Sequence, residues 1–305
     1  MTLLVLADPT DTELRLLERL PDDTRIVAGE RAEAFATAAP EADVILCWFS
    51  PRDLLEAVWP LARNVRWVHS ASAGVENVLF DALIESPVPV TNSRGLYSDS
   101  LAEFVLGAVL FFAKDLRRMV CSQQQGRWDP FDVELVEGRW LGILGYGDIG
   151  HAVARRARAF GMRIAALRRR PELSQDDPLA DRVLGPSQLR ELLALSDYLV
   201  ISLPLTQQTR GLLGENELAA MKPGAVLINI GRGAVIEEEP LVRALQQGRI
   251  RGAALDVFQR EPLPAGHPFY RLENVLLSPH CADHFPGWKR RAMELFLDNF
   301  ERFRQ

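Results

Sequence analysis

Short apolar runs alternate with amphipathic stretches along the first hundred residues of the chain. The apolar, β-rich runs are residues 3–7, 25–27, 44–47, 66–69 and 88–91. Between them, segments 12–20 and 51–59 place leucine and valine residues at helical spacing. Strands that alternate with helices favour a parallel sheet covered on both faces. We therefore predict an α/β unit in this part of the chain.

A longer helical pattern begins at Ser98 and continues to about residue 120, with Leu101, Val105 and Val109 on one side. After the polar segment 122–137, strands and helices alternate again as far as Pro279. The predicted strands are residues 141–144, 163–167, 198–202, 225–229, 252–256 and 275–277. Residues 288–303 predict a final amphipathic helix. The pattern indicates one α/β domain, residues 98–282, inserted into another, residues 1–97 and 283–305.

A glycine-rich turn follows the strand at 141–144 and opens a helix. It consists of Gly145, Tyr146, Gly147, Asp148, Ile149 and Gly150, with the spacing G-x-G-x-x-G. In this context the first glycine permits a tight turn, the second lets the backbone approach a pyrophosphate, and the third lets the helix pack closely on the strand. The helix N-terminus then faces the anion. The motif predicts a dinucleotide site; the alternative is that the glycines serve only the turn.

The residues after the next strand distinguish the two nicotinamide cofactors. An acidic residue there would bind the adenosine ribose 2′-hydroxyl of NAD and repel the 2′-phosphate of NADP. This chain has Arg168, Arg169 and Arg170 instead. One good contact between a guanidinium group and a phosphate favours NADP by about ten- to a hundredfold. We predict that NADP is preferred and that NAD is possible; the alternative is a solvated basic turn.

Composition excludes several classes of protein. A net charge of −6 argues against a general nucleic-acid binder, which needs a surplus of lysine and arginine on one face. No apolar run approaches the roughly 18 residues of a membrane span, and residues 1–7 lack the basic flank of a signal peptide. Cys47, Cys121 and Cys281 are too few and too scattered for a disulfide framework or a zinc site. We expect a cytoplasmic protein without a metal site.

Three segments downstream of the glycine-rich turn end apolar strands with polar residues, and they are residues 228–233, 256–262 and 278–280. They should meet at the carboxyl edge of the sheet, where such folds bind ligands. Between them they supply an arginine, an acid and a histidine. Reduction of a 2-oxo acid needs this set: a cation for the carboxylate, a proton donor for the carbonyl oxygen, and an acid that orients and charges the imidazole. The alternative is a surface-turn arginine, a solvated acid and a capping histidine.

These motifs closely resemble those of the D-isomer-specific 2-hydroxyacid dehydrogenase family over nearly the full chain. The matching stretches are LGILGYGDIG, LPLTQQTRGLLGENELAAMKPGAVLINIGRGAVIEEEPLVRAL, GAALDVFQREPLP and NVLLSPH. The resemblance implies a doubly wound parallel-sheet Rossmann cofactor domain inserted into a smaller flavodoxin-like α/β substrate domain. It implies that Arg232 binds the substrate carboxylate and polarises the carbonyl, that His280 is the acid/base, and that Glu261 keeps His280 protonated.

The resemblance also implies contacts outside the acid/base set. The backbone of Ala73, Gly74 and Val75 would anchor the substrate carboxylate from the other domain, and Asp256 would approach the nicotinamide. The residues implied to line the cofactor cleft are Leu203, Pro204, Thr209 and Ile230. A homodimer is implied as well, with the segment 122–137 and its Trp128 as a candidate exchanged arm.

Arg168, Arg169 and Arg170, after the second strand of the predicted cofactor domain, resemble the arginines of NADPH-dependent reductases of glyoxylate and hydroxypyruvate, which give D-2-hydroxy acids. Two alternatives stay open: an NAD-dependent dehydrogenase of bulkier 2-oxo acids, and a cofactor-sensing binding protein on the same fold. The sequence SPHCAD at 278–283 departs from the commoner SPHIAG pattern. Because a carboxylate near His280 favours the imidazolium, reduction should tolerate lower pH than oxidation. His69, on an apolar strand, is expected to be a packed core histidine.

Overall fold

The computed structural model describes all 305 residues of the chain. The chain divides into two compact units, one made of Met1–Tyr97 and Phe285–Gln305 and the other of Ser98–His284. The sequence pattern put the second junction after residue 282, whereas the second unit ends at residue 284.

The secondary structure consists of strands, α-helices and short 3-10 helices. The strands are β1 (Thr2–Leu6), β2 (Arg25–Gly29), β3 (Val44–Cys47), β4 (Trp67–Ser70), β5 (Val90–Asn92), β6 (Trp140–Leu144), β7 (Arg163–Leu167), β8 (Arg182–Leu184), β9 (Tyr198–Ile201), β10 (Val226–Asn229), β11 (Gly252–Leu255) and β12 (Val275–Leu277). The α-helices are α1 (Arg52–Val58), α2 (Asp81–Ile84), α3 (Ser98–Ala113), α4 (Leu116–Gln124), α5 (Asp148–Ala159), α6 (Leu189–Leu195), α7 (Glu215–Ala219), α8 (Glu238–Gln246) and α9 (Trp288–Arg304). The 3-10 helices are Thr12–Arg19, Ala32–Phe35, Ala39–Glu41, Trp59–Leu61, Pro171–Ser174, Pro186–Gln188, Gly233–Val235 and Pro268–Arg271.

The first unit contains a five-stranded sheet in the order β2-β1-β3-β4-β5, and every pairing in it is parallel. This order is that of flavodoxin-like sheets. β1, β3 and β4 are buried along their whole length, as expected for parallel strands covered on both faces. Phe296, Phe300 and Phe303 of α9 belong to the apolar cluster on one face of this sheet.

The second unit contains a seven-stranded parallel sheet in the order β12-β11-β10-β9-β6-β7-β8. The strand order reverses between β6 and β9, so the chain runs outward from β6 in one direction and then outward from β9 in the other. This is the doubly wound Rossmann order, in which ligands bind outside the carboxyl ends of the strands at the switch point. The predicted fold class is confirmed in both units.

Local structure differs from the sequence prediction in the helical stretch that begins at Ser98. This stretch is two helices, α3 and α4, separated at Asp115, which has the left-handed φ of 47°. The Asp115 carboxylate accepts a hydrogen bond from the Arg118 N–H at 3.3 Å and caps α4. Aspartate tolerates this conformation and caps helices well, so one residue interrupts a continuous apolar pattern.

Two smaller differences concern short elements. Residues 12–20, predicted as helical, form the 3-10 helix Thr12–Arg19 rather than an α-helix. The edge strand β8 was not predicted, because three residues are too short to show a period.

His69 lies on β4 in the core of the first unit and is fully buried. Its Nδ1 is 2.7 Å from the Thr91 hydroxyl oxygen, and its ring packs against Trp67 and Phe296. The expectation of a packed core histidine is confirmed. Across the whole chain, every helix is too short or too polar to cross a bilayer.

Candidate active site

The glycine-rich turn lies between β6 and α5, at the switch point of the second sheet. Gly145 has a φ of 106°, and a Cβ there would lie 2.8 Å from the Ser202 carbonyl oxygen. A Cβ on Gly150 would lie 2.5 Å from the Gly145 carbonyl oxygen, whereas a Cβ on Gly147 would meet nothing within 4 Å. Two of the glycines are therefore needed by the fold, and Gly147 leaves open space at the helix N-terminus. The turn fits a dinucleotide pyrophosphate.

The side chains within the turn already have partners in the protein. The Ser98 hydroxyl donates to Asp148 Oδ2, and the Tyr146 hydroxyl donates to Asp177 Oδ2 at 3.0 Å. Tyr146 is buried and Ile149 is half-buried. A cofactor at this turn would therefore meet mainly backbone N–H groups, as the motif predicts. Asp177 had no signal in the sequence, because it lies in an irregular segment far from any motif.

The three arginines begin directly after β7. Arg168 is half-buried, and its guanidinium donates to the Ser174 hydroxyl, while Arg169 and Arg170 are exposed. The Arg168 N–H also donates to the Leu184 carbonyl at 3.1 Å. The first arginine is thus fixed at the strand end by both its backbone and its side chain.

The residues predicted to line the cofactor cleft follow β9 and β10. Leu203 is close to the turn, since a Cβ on Gly145 would lie 3.1 Å from its Cδ2. The Thr209 hydroxyl donates to the Pro204 carbonyl at 2.7 Å, which closes the loop after β9. Ile230 is buried, and its N–H donates to the Ile201 carbonyl at 3.1 Å. These four residues therefore lie along adjacent strand ends.

Glu261 and His280 form a short pair at the same edge of the sheet. His280 Nδ1 lies 2.6 Å from Glu261 Oε2, and Glu261 Oε1 accepts the Phe258 N–H at 2.8 Å. The hydrogen bond to Glu261 raises the pKa of His280, against the effect of burial. Burial alone would raise the pKa of Glu261, but the bonds from His280 and from the Phe258 N–H outweigh it and hold that pKa below its usual range. The pair favours a charged imidazolium beside a carboxylate.

Arg232 follows β10, and its loop makes a close approach to the loop that follows β11. A Cβ on Gly233 would lie 1.9 Å from the Phe258 carbonyl carbon, so only glycine lets the two loops meet. The Arg232 Nη1 donates to the Gly231 carbonyl at 2.7 Å. Its charge adds to the lowering of the pKa of Glu261 and opposes the rise in the pKa of His280, where the bond to Glu261 has the larger effect. The three residues predicted for catalysis are brought together.

Asp256 follows β11 and is buried, with its carboxylate directed at the loop that carries His280. Sequence reasoning did not assign a part to Ser278, whose hydroxyl donates to the same carboxylate at 2.5 Å. Asp283, which departs from the commoner motif, is partly buried, and burial raises its pKa despite the nearby His284 and His280.

A cavity of about 660 Å³ adjoins the acid/base pair within the second unit. Glu261 and His280 form part of its lining, and the rest is mainly apolar. The lining is completed by Phe258, Pro262, Leu263, Tyr270, Leu277, Ser278 and Pro279.

Ala73, Gly74 and Val75 lie in the first unit, just after β4, and all three are half-buried. The Asn92 side-chain amide donates to the Ala73 carbonyl at 2.5 Å and so fixes the start of this turn. Their contact with a substrate carboxylate stays a prediction.

The second unit therefore has the fold of dinucleotide-binding Rossmann proteins and carries a histidine–glutamate pair at the edge of the sheet where such folds bind ligands. A family model described as D-isomer specific 2-hydroxyacid dehydrogenase, NAD binding domain, matches residues 106–282. The chain belongs to the D-isomer specific 2-hydroxyacid dehydrogenase family, as the sequence motifs predicted.

Individual relatives agree with this assignment. The chain is 36% identical over 293 residues to the glyoxylate reductase of Aeropyrum pernix, covering 90% of this chain and 83% of that protein. It is 32% identical over 286 residues to the D-3-phosphoglycerate dehydrogenase of Methanocaldococcus jannaschii, covering 92% of this chain but only 53% of that protein. The solved structure of a D-isomer specific 2-hydroxyacid dehydrogenase from Xanthobacter autotrophicus Py2, in complex with NADPH and MES, is 30% identical with a TM-score of 0.83, covering 99% of this chain and 94% of that one.

Proposed function

We propose that the protein uses a reduced nicotinamide cofactor to convert a small 2-oxo acid of the glyoxylate and hydroxypyruvate class into its D-2-hydroxy acid. The observation that carries this proposal is the 2.6 Å pair of His280 and Glu261, with Arg232 beside it, at the ligand edge of a dinucleotide-binding sheet. The similarity to a glyoxylate reductase supports the substrate class.

Each residue of the site has a distinct part in this reaction. The Arg232 guanidinium binds the substrate carboxylate and polarises the neighbouring carbonyl. With Nδ1 of His280 bound to Glu261, Nε2 is the nitrogen that gives a proton to the carbonyl oxygen. A reduced nicotinamide cofactor held at the glycine-rich turn would supply the hydride. Ala73, Gly74 and Val75 hold the substrate carboxylate through their backbone.

The protonation state of His280 determines whether reduction or oxidation is favoured at a given pH. Reduction needs the imidazolium, and oxidation of the hydroxy acid needs the neutral imidazole. Because Glu261 raises the pKa of His280, the enzyme stays competent for reduction at a higher pH than an unpaired histidine would allow.

NADPH is the preferred cofactor in this proposal. Support comes from Arg168, which directly follows β7, where an NAD site would have an acid, and whose guanidinium donates to the Ser174 hydroxyl. Arg168→Gln should lower kcat/KM for NADPH by about tenfold or more and leave that for NADH within about twofold. Arg182→Gln, on the edge strand β8, removes a similar charge that pairs with Glu191 and should change neither value.

The activity is tested by initial rates of NADPH and NADH oxidation with glyoxylate, hydroxypyruvate, pyruvate and phenylpyruvate. Fast turnover of the first two that is lost in His280→Ala supports the proposal. Tight cofactor binding without turnover of any of them would favour the cofactor-sensing alternative. The intact acid/base pair argues against a pure sensor, which has no use for proton transfer.

A second candidate function is reduction of bulkier 2-oxo acids. The apolar cavity of about 660 Å³ beside His280 is much larger than glyoxylate needs. A kcat/KM for phenylpyruvate above that for glyoxylate would select this candidate.

The protein is proposed to act as a cytoplasmic homodimer. Several apolar side chains on α4 and in the segment that follows are exposed in the single chain. Such an exposed apolar patch is typical of a surface that another protein molecule covers. They are Leu116, Met119, Val120, Trp128, Val133 and Leu135. The three cysteines are free thiols, in keeping with a reducing compartment.

A further inference from the structure

Three successive peptide N–H groups in the loop after β12 converge on one residue, Asp256. The His280 N–H donates to the Asp256 carbonyl oxygen at 2.9 Å. The Cys281 and Ala282 N–H groups donate to Asp256 Oδ1 at 3.0 and 3.1 Å. The Ser278 hydroxyl donates to the same oxygen at 2.5 Å. This loop is therefore bound to a single buried carboxylate.

The backbone of His280 explains why the donors converge. His280 has a φ of 53°, in the left-handed region that residues other than glycine rarely adopt. Such a residue turns the chain so that successive N–H groups face one point and form an anion-binding concavity. Asp256 is only 1% exposed, so its carboxylate needs these donors in place of water. The strained conformation and the buried carboxylate support each other.

We propose that Asp256 is a positioning residue that holds His280 in its left-handed conformation and thereby fixes the imidazole against Glu261. All three hydrogen bonds to the carboxylate end on Oδ1, and Oδ2 takes no part in them. One oxygen thus holds the loop, which leaves the other for the approach to the nicotinamide that the family resemblance implies for Asp256. The kinetic consequences of this inference rest on the proposed function.

The Ser278 hydroxyl and the Cys281 and Ala282 N–H groups, all bound to Asp256 Oδ1, form a clamp on the loop. The Ser278 hydroxyl is the donor of this clamp that can be removed with least disturbance. Its N–H is bound separately to the Leu255 carbonyl at 2.9 Å, and the far side of the loop is held by the Ser100 hydroxyl, 2.7 Å from the Ala282 carbonyl. Ser278→Ala therefore removes one donor to the carboxylate and leaves the charges and the backbone bonds in place.

The titration of His280 reports on the clamp. The charged groups that act on its imidazole are Glu261, Asp256, Asp283 and Arg232. None of them is altered in Ser278→Ala. A change in the pKa of His280 in that variant therefore measures a change in its geometry toward these groups, above all toward Glu261.

The experiment is an NMR titration of the histidine ring protons in wild type, Ser278→Ala and Ser278→Thr, with His280→Gln used to identify the signal. We expect the His280 midpoint to fall by about half a pH unit or more in Ser278→Ala, because the bond to Glu261 loosens. Ser278→Thr keeps the hydroxyl and should restore the midpoint. Ser196→Ala removes a buried hydroxyl elsewhere in the unit, bound to the Leu192 carbonyl at 2.6 Å, and should have no effect.

Kinetics complete the test. Ser278→Ala should lower kcat for reduction roughly tenfold and leave the KM for NADPH within about twofold. An unchanged His280 midpoint in a folded Ser278→Ala protein overturns the inference. If that variant does not fold, Ser278→Cys, which keeps the size and a weak donor, takes its place with the same expected direction. If the His280 midpoint shifts in Ser278→Ala but the wild-type protein reduces none of the 2-oxo acids, the proposed function is rejected and the positioning role of Asp256 is retained.

Discussion

His280 is held by two residues that act on different atoms. Glu261 binds the Nδ1 of its ring, and Asp256 accepts its backbone N–H. The first interaction sets the charge of the imidazole, and both restrict its orientation. A histidine restrained at both ends loses little freedom when it transfers a proton, which is what a preorganised acid requires.

Glu261→Gln should separate charge from orientation. The amide can still bond to the imidazole but does not stabilise its charge, so the pKa of His280 falls. We expect kcat for reduction near neutral pH to drop about ten- to a hundredfold, with the decline of the rate beginning at lower pH. Glu238→Gln is the matched control, because Glu238 lies 3.5 Å from another histidine, His267. An unchanged pH profile in Glu261→Gln would refute the role given to this acid.

His69 should make the first unit sensitive to acid. Burial lowers the pKa of His69 to about 4, whereas the unfolded chain keeps a value near 6.5. A lowered pKa means that the stability is complete above pH ~6.5 and is lost as the pH falls toward 4, by up to about 3 kcal/mol. Urea unfolding from pH 7 to 4.5 should show a weaker pH dependence in His69→Gln. An equally steep pH dependence in His69→Gln and in wild type would contradict this prediction.

The meeting of Arg232, Glu261 and His280 at one site could be predicted from sequence, because polar residues at adjacent strand ends must meet at one edge of a parallel sheet. The hydrogen bonds that hold the surrounding residues in place could not be predicted. The bonds from Ser98 to Asp148 and from Tyr146 to Asp177 join residues 50 and 31 positions apart, and side-chain partners at such separations leave no local pattern.

At the scale of elements, the turn between β6 and α5 combines two requirements. The packing of the turn requires glycine at positions 145 and 150, because a Cβ atom on either residue would clash with a backbone carbonyl oxygen. Gly147 has no such contact, so its lack of a side chain serves something outside the folded chain. The dinucleotide pyrophosphate is the group that this motif admits.

Gly147→Ala should therefore affect cofactor binding, whereas Gly150→Ala should affect the stability of the fold. Gly147→Ala should leave Tm within about 1 °C and weaken NADPH binding at least about tenfold. Gly150→Ala should destabilise the unit by about 1–3 kcal/mol, because the added methyl group lies 2.5 Å from the Gly145 carbonyl oxygen. Thermal unfolding and a fluorescence titration with NADPH measure the two effects. Equal losses of Tm in both variants would contradict this division.

The strands were predictable because parallel strands buried on both faces are continuous apolar runs, and β3, β7 and β12 lie at the predicted residues. The break between α3 and α4 was not predictable from apolar spacing, since a single left-handed aspartate, Asp115, makes it. Short 3-10 segments likewise follow from local hydrogen bonds rather than from a period.

At the scale of the whole molecule, the exposed apolar residues of α4 and the segment after it are expected to be covered by a second copy of the chain. Trp128 is 97% exposed and Leu135 is 71% exposed, values that are costly for a protein that stays monomeric. The segment 122–137 that carries them contains no helix or strand beyond the end of α4.

Leu135→Glu and Trp128→Ala should shift the protein toward monomer in size-exclusion chromatography with light scattering. Ile84→Glu is the control, because Ile84 is likewise exposed, at 62%, but belongs to the first unit and not to this segment. A wild-type protein that is monomeric at micromolar concentration would reject the proposed dimer. A dimer unaffected by either of the first two substitutions would reject this surface as its interface.

The proton-donor role of His280 is tested by the pH dependence of kcat/KM in both directions, with glyoxylate and NADPH for reduction and with glycolate and NADP for oxidation. We expect reduction to decline as the pH rises through the raised pKa of His280 and oxidation to increase over the same range. Both changes should disappear in His280→Ala together with the activity. A pH optimum for reduction above that for oxidation would contradict the assignment of His280 as the proton donor.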